Sequence, residues 1–483
     1  MSNVIISESR LKTMTIYELR VYLKRLGGTP LNKSSAKLIE EIQEIQNGKV
    51  PLKGSNRGRK PKFIAQENED LPQDLQMSKN FRLTAMKKKP FLQAFAELEK
   101  PEYFGRTAPS FANGVSAPVS ATVCAPETEV DTVSIADGVL VDEYEIPYIV
   151  NYDARYKYPV FLVEKNMIKA YALKTGDRVT GYAHGKNGKN YTVYEAEKIN
   201  DVPRDDFVRG TAFEFLQGAY PEELFRLDLY NDAACRSIDL FAPLGKGARA
   251  AIIESPRRKS MEIMEAMAKE LEEQSHVIYI PLGAMPEIIS DAVKNLKKTE
   301  IAASDFSADC GSDVSRIYVY VERAKRLVEQ GEDVVVMIHS LDRAFESLKR
   351  YYNSEETALE EIERLLCCAK NINGGGSLTF VYAVTKYAPD SIIALTERVC
   401  NCVVRLNDEL KFSVIDGVDV FAGGTSKAKA LRGADKYCSI EELRNHIFIK
   451  NAPSVLNALF KENKTNAELI GNLDKAISFV DEK

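Results

Sequence analysis

Tryptophan is absent from the 483 residues, histidine occurs four times and cysteine eight times. So few histidines leave little material for a histidine-ligated metal centre. The cysteines do not supply one either, because Cys367 and Cys368 are adjacent and Cys400 and Cys402 lie too close for the usual zinc knuckle. Unspaced cysteines read as reduced structural thiols in a reducing compartment. No apolar run approaches the roughly 18 residues of a membrane span, and the N-terminus has no signal-type apolar stretch. The expectation is a cytoplasmic protein with no membrane partner and no metal ligands of its own. An excess of positive charge is lacking as well. The formal charge is −5, which excludes a uniformly basic nucleic-acid binder and leaves only local patches for that role. With 45% hydrophobic and 28% charged residues the composition is that of a folded protein, and the length predicts about two to four domains.

Residues 1–50 read as a small helical module. Leu19, Val21, Leu23 and Leu26 follow a helical pattern that stops at Gly27, Gly28 and Pro30, and Leu38, Ile39, Ile42 and Ile45 form the apolar face of a second helix. Two short helices around a Gly-Pro turn resemble a SAP-type module; a plain helical hairpin is the alternative. Residues 51–136 are linker-like, with a basic run at Arg57, Arg59, Lys60 and Lys62 broken by Gly58 and Pro61, then an Ala/Pro/Ser/Val-rich stretch without periodicity. The basic run resembles an AT-hook and gives candidates for nucleic-acid contact; a solvated linker is the other reading.

From residue 137 to 203 short alternating runs at Tyr148-Ile149-Val150, Val160-Phe161-Leu162-Val163, Arg178-Val179-Thr180-Gly181-Tyr182 and Tyr191-Thr192-Val193-Tyr194 are divided by Gly-rich turns, which predicts a small OB-type barrel. Tyr144, Tyr148, Tyr171 and Tyr191, with Arg155, Lys157 and Lys174, place rings beside cations. Single-stranded nucleic acid needs that pairing, rings to stack on bases and cations for phosphates. Tyrosines on strands also serve simply as packing.

Residues 204–483 alternate buried-type strands with amphipathic helices. Strands are expected over 250–254, 276–280, 333–338, 378–383 and 402–406, and helices over 261–273, 284–296, 315–329 and 355–371. This alternation predicts a mainly parallel sheet covered on both faces. The stretch Pro243-Leu244-Gly245-Lys246-Gly247-Ala248-Arg249 opens it, and Glu254-Ser255-Pro256-Arg257-Arg258-Lys259-Ser260 follows at the end of the first strand. A phosphate loop reads G-x-x-x-x-G-K-[ST], its glycines letting backbone N–H groups crowd around phosphate. Lys259 and Ser260 match its end; no glycine precedes them.

The order of parts, with Leu173-Lys174-Thr175-Gly176-Asp177, Phe213-Glu214-Phe215-Leu216, the Pro-Leu-Gly-Lys-Gly block, Asn373-Gly374-Gly375-Gly376-Ser377-Leu378-Thr379 and Lys464-Thr465-Asn466, resembles the bacterial transcription termination factor Rho family. Those proteins are ring-shaped hexameric ATP-driven RNA translocases. The resemblance implies a RecA-like P-loop NTPase core behind the barrel, ATP and Mg²⁺ as cofactors, single-stranded RNA as ligand, and a homo-hexamer. RNA polymerase, or an active Rho, would be a protein partner.

The catalytic motifs depart from that family. Its loop A-P-P-K-A-G-K-T is one residue shorter here, leaving Arg257, Arg258, Lys259 and Ser260 as a remnant nucleotide site. Its D-S-I-T-R becomes His339-Ser340-Leu341-Asp342-Arg343, its D-E-R-P-E-E becomes Leu282-Gly283-Ala284-Met285-Pro286-Glu287, and its Y-N-R-S-G-T-R becomes Val420-Phe421-Ala422-Gly423-Gly424-Thr425-Ser426. Histidine is a poor ligand for Mg²⁺, and the transition-state arginine has no counterpart. The expectation is a Rho-like RNA-binding factor whose ATP hydrolysis is weakened or lost and for which no catalytic residue can be named. An active translocase and a non-catalytic regulatory subunit are the alternatives.

Overall fold

The computed structural model describes residues 3–4, 11, 19, 23, 26, 35–46, 63–64, 131–142, 146–156, 159–186, 189–254, 260–407, 414–415, 417–449 and 453–482. Two compact units divide the chain, residues 1–103 and 104–483. In the first, helix α1 (Ser35–Gln46) buries Leu38, Ile42 and Ile45 against Leu11, Leu19, Leu23 and Leu26. The basic run at Arg57, Arg59, Lys60 and Lys62 lies outside the described residues.

The second unit opens with a six-stranded sheet curled into a barrel. Its main strands are β1 (Asp131–Val141), β2 (Tyr148–Val150), β3 (Phe161–Val163), β4 (Arg178–Lys186) and β5 (Lys189–Ile199). Antiparallel pairs run β3-β2-β1-β4-β5, and a parallel pairing of Leu162 with Thr192 and Val163 with Val193 closes the ring. Leu140, Ile149, Phe161, Val179, Ala183, Val193 and Ile199 fill its interior. Strand β1 starts at Asp131 rather than at residue 137, since Val133 and Ile135 continue the alternation opposite His184 and Tyr182.

The core is a ten-stranded sheet. Its main path is β8 (Glu300–Ile301), β7 (His276–Pro281), β9 (Asp333–His339), β10 (Ser377–Val384), β6 (Arg249–Ile253), β11 (Cys402–Leu406), β13 (Val418–Thr425) and β12 (Val414–Ile415). Pairs from β8 to β11 are parallel, and β12 and β13 add an antiparallel edge. Residues Val334, Val335, Val336, Met337 and Ile338 are all buried, and so is every residue of β10. A strand covered on both faces is mostly apolar, each large apolar side chain contributing about 1.5–3 kcal/mol by leaving water, and the buried Ser377 and Thr379 hydroxyls are hydrogen-bonded to Asp333 and to the Gly247 amide. Helices α2 (Ala233–Phe241), α3 (Ser260–Leu271), α4 (Cys310–Val328), α5 (Leu341–Tyr352) and α6 (Glu355–Leu366) cover the faces. The helix expected over 355–371 stops at Leu366, because Lys370–Ile372 pairs antiparallel with the start of β10.

The Pro-Leu-Gly-Lys-Gly block is a joint. Gly247 has φ +82°, and a Cβ there would meet the Asn371 amide nitrogen at 2.1 Å. Its own N–H donates to Thr379 Oγ1 at 2.7 Å, and Lys246 pairs with Glu223 at 2.6 Å and Asp333 at 2.8 Å. At the other end of the chain, Asn466 ties the C-terminal helices to α2 through Arg236 and Asp239, at 3.0 and 2.8 Å.

Barrel and core meet over buried charge. Asp177, fully buried, accepts from Arg209, from Asn200 Nδ2 at 2.8 Å and from the Lys174 amide at 2.7 Å. Arg323 on α4 is fully buried, donating to Asn200 Oδ1 at 2.8 Å and to Glu300 Oε1 at 3.3 Å. Burial pushes the Glu300 carboxyl up, but Arg323 and His276 outweigh that and hold it well below the usual carboxylate range. A depressed carboxylate adds stability above its unfolded pKa of about 4.3, and that stability is lost as pH falls toward its folded value. Replacing Arg323→Met removes the largest of the charges that offset the burial of Glu300, leaving His276 at 2.8 Å as its hydrogen-bond partner, and should cost about 3 kcal/mol at neutral pH. Urea unfolding at several pH values should show the gap to wild type narrowing once Glu300 protonates.

Candidate functional site

Parallel sheets place their ligands at the carboxyl ends of the strands. At that edge β6 ends in Ile253 and passes into Glu254, β9 ends at His339, and β10 leads into Thr385. The Glu254 amide donates to Val384 O at 2.9 Å, which fixes the residue at the sheet edge. Arg257, Arg258 and Lys259 lie outside the described residues; Ser260 begins α3 and is fully buried.

The Ser260 hydroxyl and the Ser260 amide both donate to one oxygen, Glu254 Oε1, each at 2.7 Å. His339 Nε2 stands 3.8 Å from the same oxygen. Burial pushes the Glu254 carboxyl up, but His339 and the bonds from Ser260 outweigh it and keep the group below the usual carboxylate range. A helix N-terminus favours an anion, and here the chain supplies one of its own.

Asp342, the acid nearest to His339 in sequence, sits in the first turn of α5. Its Oδ1 accepts from the Thr385 amide at 3.0 Å and its Oδ2 from Thr385 Oγ1 at 2.8 Å. Arg343 donates to Asp313 at 3.0 Å, and Asp313 also accepts from Ser304 and Ser347 at 2.6 and 3.0 Å. Glu287 is exposed in the first turn of the helix Pro286–Asn295. Among the described residues no cluster of acidic, histidine or cysteine side chains could hold a metal ion. The Ser260 hydroxyl and the Asp342 carboxylate are each engaged within the chain, by Glu254 and Thr385 respectively.

The barrel residues separate into buried and exposed groups. Tyr148 is buried on β2, and Tyr191 packs against the interior with its ring 5.9 Å from that of Phe161. Tyr171 packs there too, with the Arg204 guanidinium 6.0 Å from its ring. Arg155 pairs with Asp153 at 2.6 Å and donates to the carbonyls of Lys297 and Thr299 at 3.2 and 2.9 Å, which makes it part of the barrel–core joint. Lys174 is exposed beside that joint. Tyr144 and Lys157 lie outside the described residues.

Tyr156, with the Arg155 guanidinium 5.7 Å from its ring, faces solvent, and so do further rings on the barrel strands. Tyr182 and His184 on β4 and Tyr194 on β5 are exposed, and the His184 and Tyr194 rings lie 5.6 Å apart. They border Val133 and Ile135, exposed on β1 opposite His184 and Tyr182. Phase was the available signal, since Tyr182 and His184 alternate with buried Val179, Gly181 and Ala183.

No family model matches the chain. Transcription termination factor Rho of Mycobacterium leprae (strain TN) is 29% identical over 351 residues, covering 65% of this chain and 56% of that protein. Rho of Streptomyces lividans is 29% identical over 343 residues, covering 64% and 47%, and Rho of Akkermansia muciniphila is 27% identical over 332 residues, covering 63% and 69%. The chain thus spans about half the length of several curated relatives it matches. Among solved structures, the ATP synthase subunit NeqB from Nanoarcheaum equitans aligns with a TM-score of 0.46 at 16% identity, covering 58% of this chain and 80% of that one. No helix among the described residues is long and apolar enough to cross a membrane. A barrel joined to a parallel-stranded core accompanies this similarity to transcription termination factor Rho proteins from several species.

Proposed function

We propose that the protein is a Rho-like factor that binds single-stranded RNA through its barrel and takes part in transcription termination, with ATP hydrolysis weakened or lost. The observation that carries the second half is Glu254 accepting both donors of Ser260 at the start of α3. Phosphoryl transfer depends on positioned donors and a metal ion, each contributing orders of magnitude. A core whose first phosphate-facing group is bound to its own carboxylate lacks that arrangement. The N-terminal unit is proposed as a SAP-type module and the assembly as a homo-hexameric ring, with RNA polymerase or a catalytically active Rho as partner.

For RNA, the exposed rings of Tyr182, His184 and Tyr194 suit base stacking better than Tyr148, which is buried. Purified protein given ATP, Mg²⁺ and RNA should release phosphate no faster than a Lys259→Ala variant. RNA-stimulated release that disappears in that variant would reverse the reading in favour of an active translocase. Affinity for a single-stranded oligonucleotide, read by fluorescence anisotropy, should fall linearly on a log–log plot against salt. Tyr182→Ala and Tyr194→Ala should each weaken it by about 1–3 kcal/mol. Binding indifferent to salt and to both substitutions would remove RNA from the proposal.

A further inference from the structure

We propose that Cys367 and Cys400 form a peroxide-sensitive thiol pair, which oxidation joins by a disulfide at the amino edge of the core sheet. Neither residue belongs to the barrel face or to the carboxyl edge of the sheet. Cys367 follows α6 and is exposed; Cys400 precedes β11 and is half-buried. Arg249, the first residue of β6, holds both turns. Its Nε donates to Val399 O at 2.8 Å and its Nη1 to Ala369 O at 3.3 Å. Arg398 adds a second link, pairing with Glu363 on α6 at 3.0 Å.

The neighbouring thiols are committed elsewhere. Cys368 donates from Sγ to Arg364 O at 3.3 Å, back along its own helix, and Cys402 is buried and donates to Ala242 O at 3.4 Å. Cys367 instead acts electrostatically on both Arg398 and Cys400. The Tyr382 hydroxyl, fully buried on β10 and without a hydrogen bond, lies within electrostatic reach of Cys400, Cys368 and Cys367. A buried hydroxyl without a partner is costly, and oxygen added to one of these sulfurs would supply an acceptor. Burial pushes the Cys400 thiol up to about 12, so the exposed Cys367 meets the oxidant first.

The chemistry takes one peroxide. The Cys367 thiolate attacks a peroxide oxygen; an S–O bond forms, the O–O bond breaks, and the leaving hydroxide takes the proton that the thiol gave up. The Cys400 sulfur then attacks the sulfenic sulfur of Cys367. The S–S bond forms, the S–O bond breaks, and the departing hydroxide takes the Cys400 proton. Two thiols thus give two electrons to one peroxide, and two waters leave. In a reducing compartment such a bond is transient and is reversed by thiols.

The test treats the reduced full chain with hydrogen peroxide, blocks the remaining thiols with N-ethylmaleimide and reads tryptic peptides by mass spectrometry. Residues 365–370 should appear linked to residues 399–405, and dithiothreitol should separate them. Cys367→Ser and Cys400→Ser should each lose the linked peptide, whereas Cys368→Ser and Cys402→Ser should keep it. Dimedone should label Cys367 in the Cys400→Ser variant, where the second step is blocked, and thermal melts should show every variant folded. Absence of the link in wild type, at peroxide concentrations that oxidise the exposed Cys438, would overturn the proposal. So would a link that survives either Cys367→Ser or Cys400→Ser.

Discussion

The structure depends most on the buried charges between barrel and core. Arg323 and Glu300 on the core, and Asp177 with Asn200 on the barrel, form one connected network among groups that water scarcely reaches. Charges out of water are tolerated only when paired and hydrogen-bonded, so each member fixes the position of the others. Arg209 reaches Asp177 from the segment that links the two folds, and Glu329 at the end of α4 accepts from the Phe213 amide at 2.8 Å. Gly176 completes the contact. Its φ is +97°, and a Cβ there would meet the Glu322 carbonyl carbon at 2.4 Å. The barrel is thereby fastened to α4 by backbone fit as well as by charge.

This accounts for which motifs could be read in the sequence. Leu173-Lys174-Thr175-Gly176-Asp177 and Pro243-Leu244-Gly245-Lys246-Gly247 stand out because packing and positive φ leave few residue types able to fill them. The parallel strands were legible for a related reason, since burial on both faces writes a continuous apolar run. Helix α5 was not legible. Ser340 caps it by accepting from the Arg343 amide, and Leu341, Ala344, Phe345 and Leu348 are buried at helical spacing. That periodicity begins inside the His339-to-Arg343 motif, whose likeness to a metal-site sequence drew the reading toward chemistry rather than toward a helix.

The barrel shows the opposite limit. Tyr148, Tyr171 and Tyr191 cannot be told from Tyr182 and Tyr194 by composition, because facing is decided by register. Irregularities between Thr180 and Gly181 and between Tyr182 and Ala183 shift the phase of β4 against β5. Counting in twos keeps the face along β4, where burial alternates from Val179 to Gly185, and loses it along β5, where Tyr194 and Glu195 are both exposed. Arg155 was misleading in another way. A cation beside tyrosines suggests phosphate, yet Asp153 two residues earlier and carbonyls more than a hundred residues later claim it.

The carboxyl edge of the sheet is held together differently from the joint. Residues at the joint cannot be replaced singly without stranding a buried charge. Residues at the carboxyl edge carry no such penalty, provided that the donors they leave behind find new acceptors. Ser260 finds Glu254, and Thr385 finds Asp342. Each of these groups is thus satisfied inside the fold, and the N-terminus of α3 receives a carboxylate.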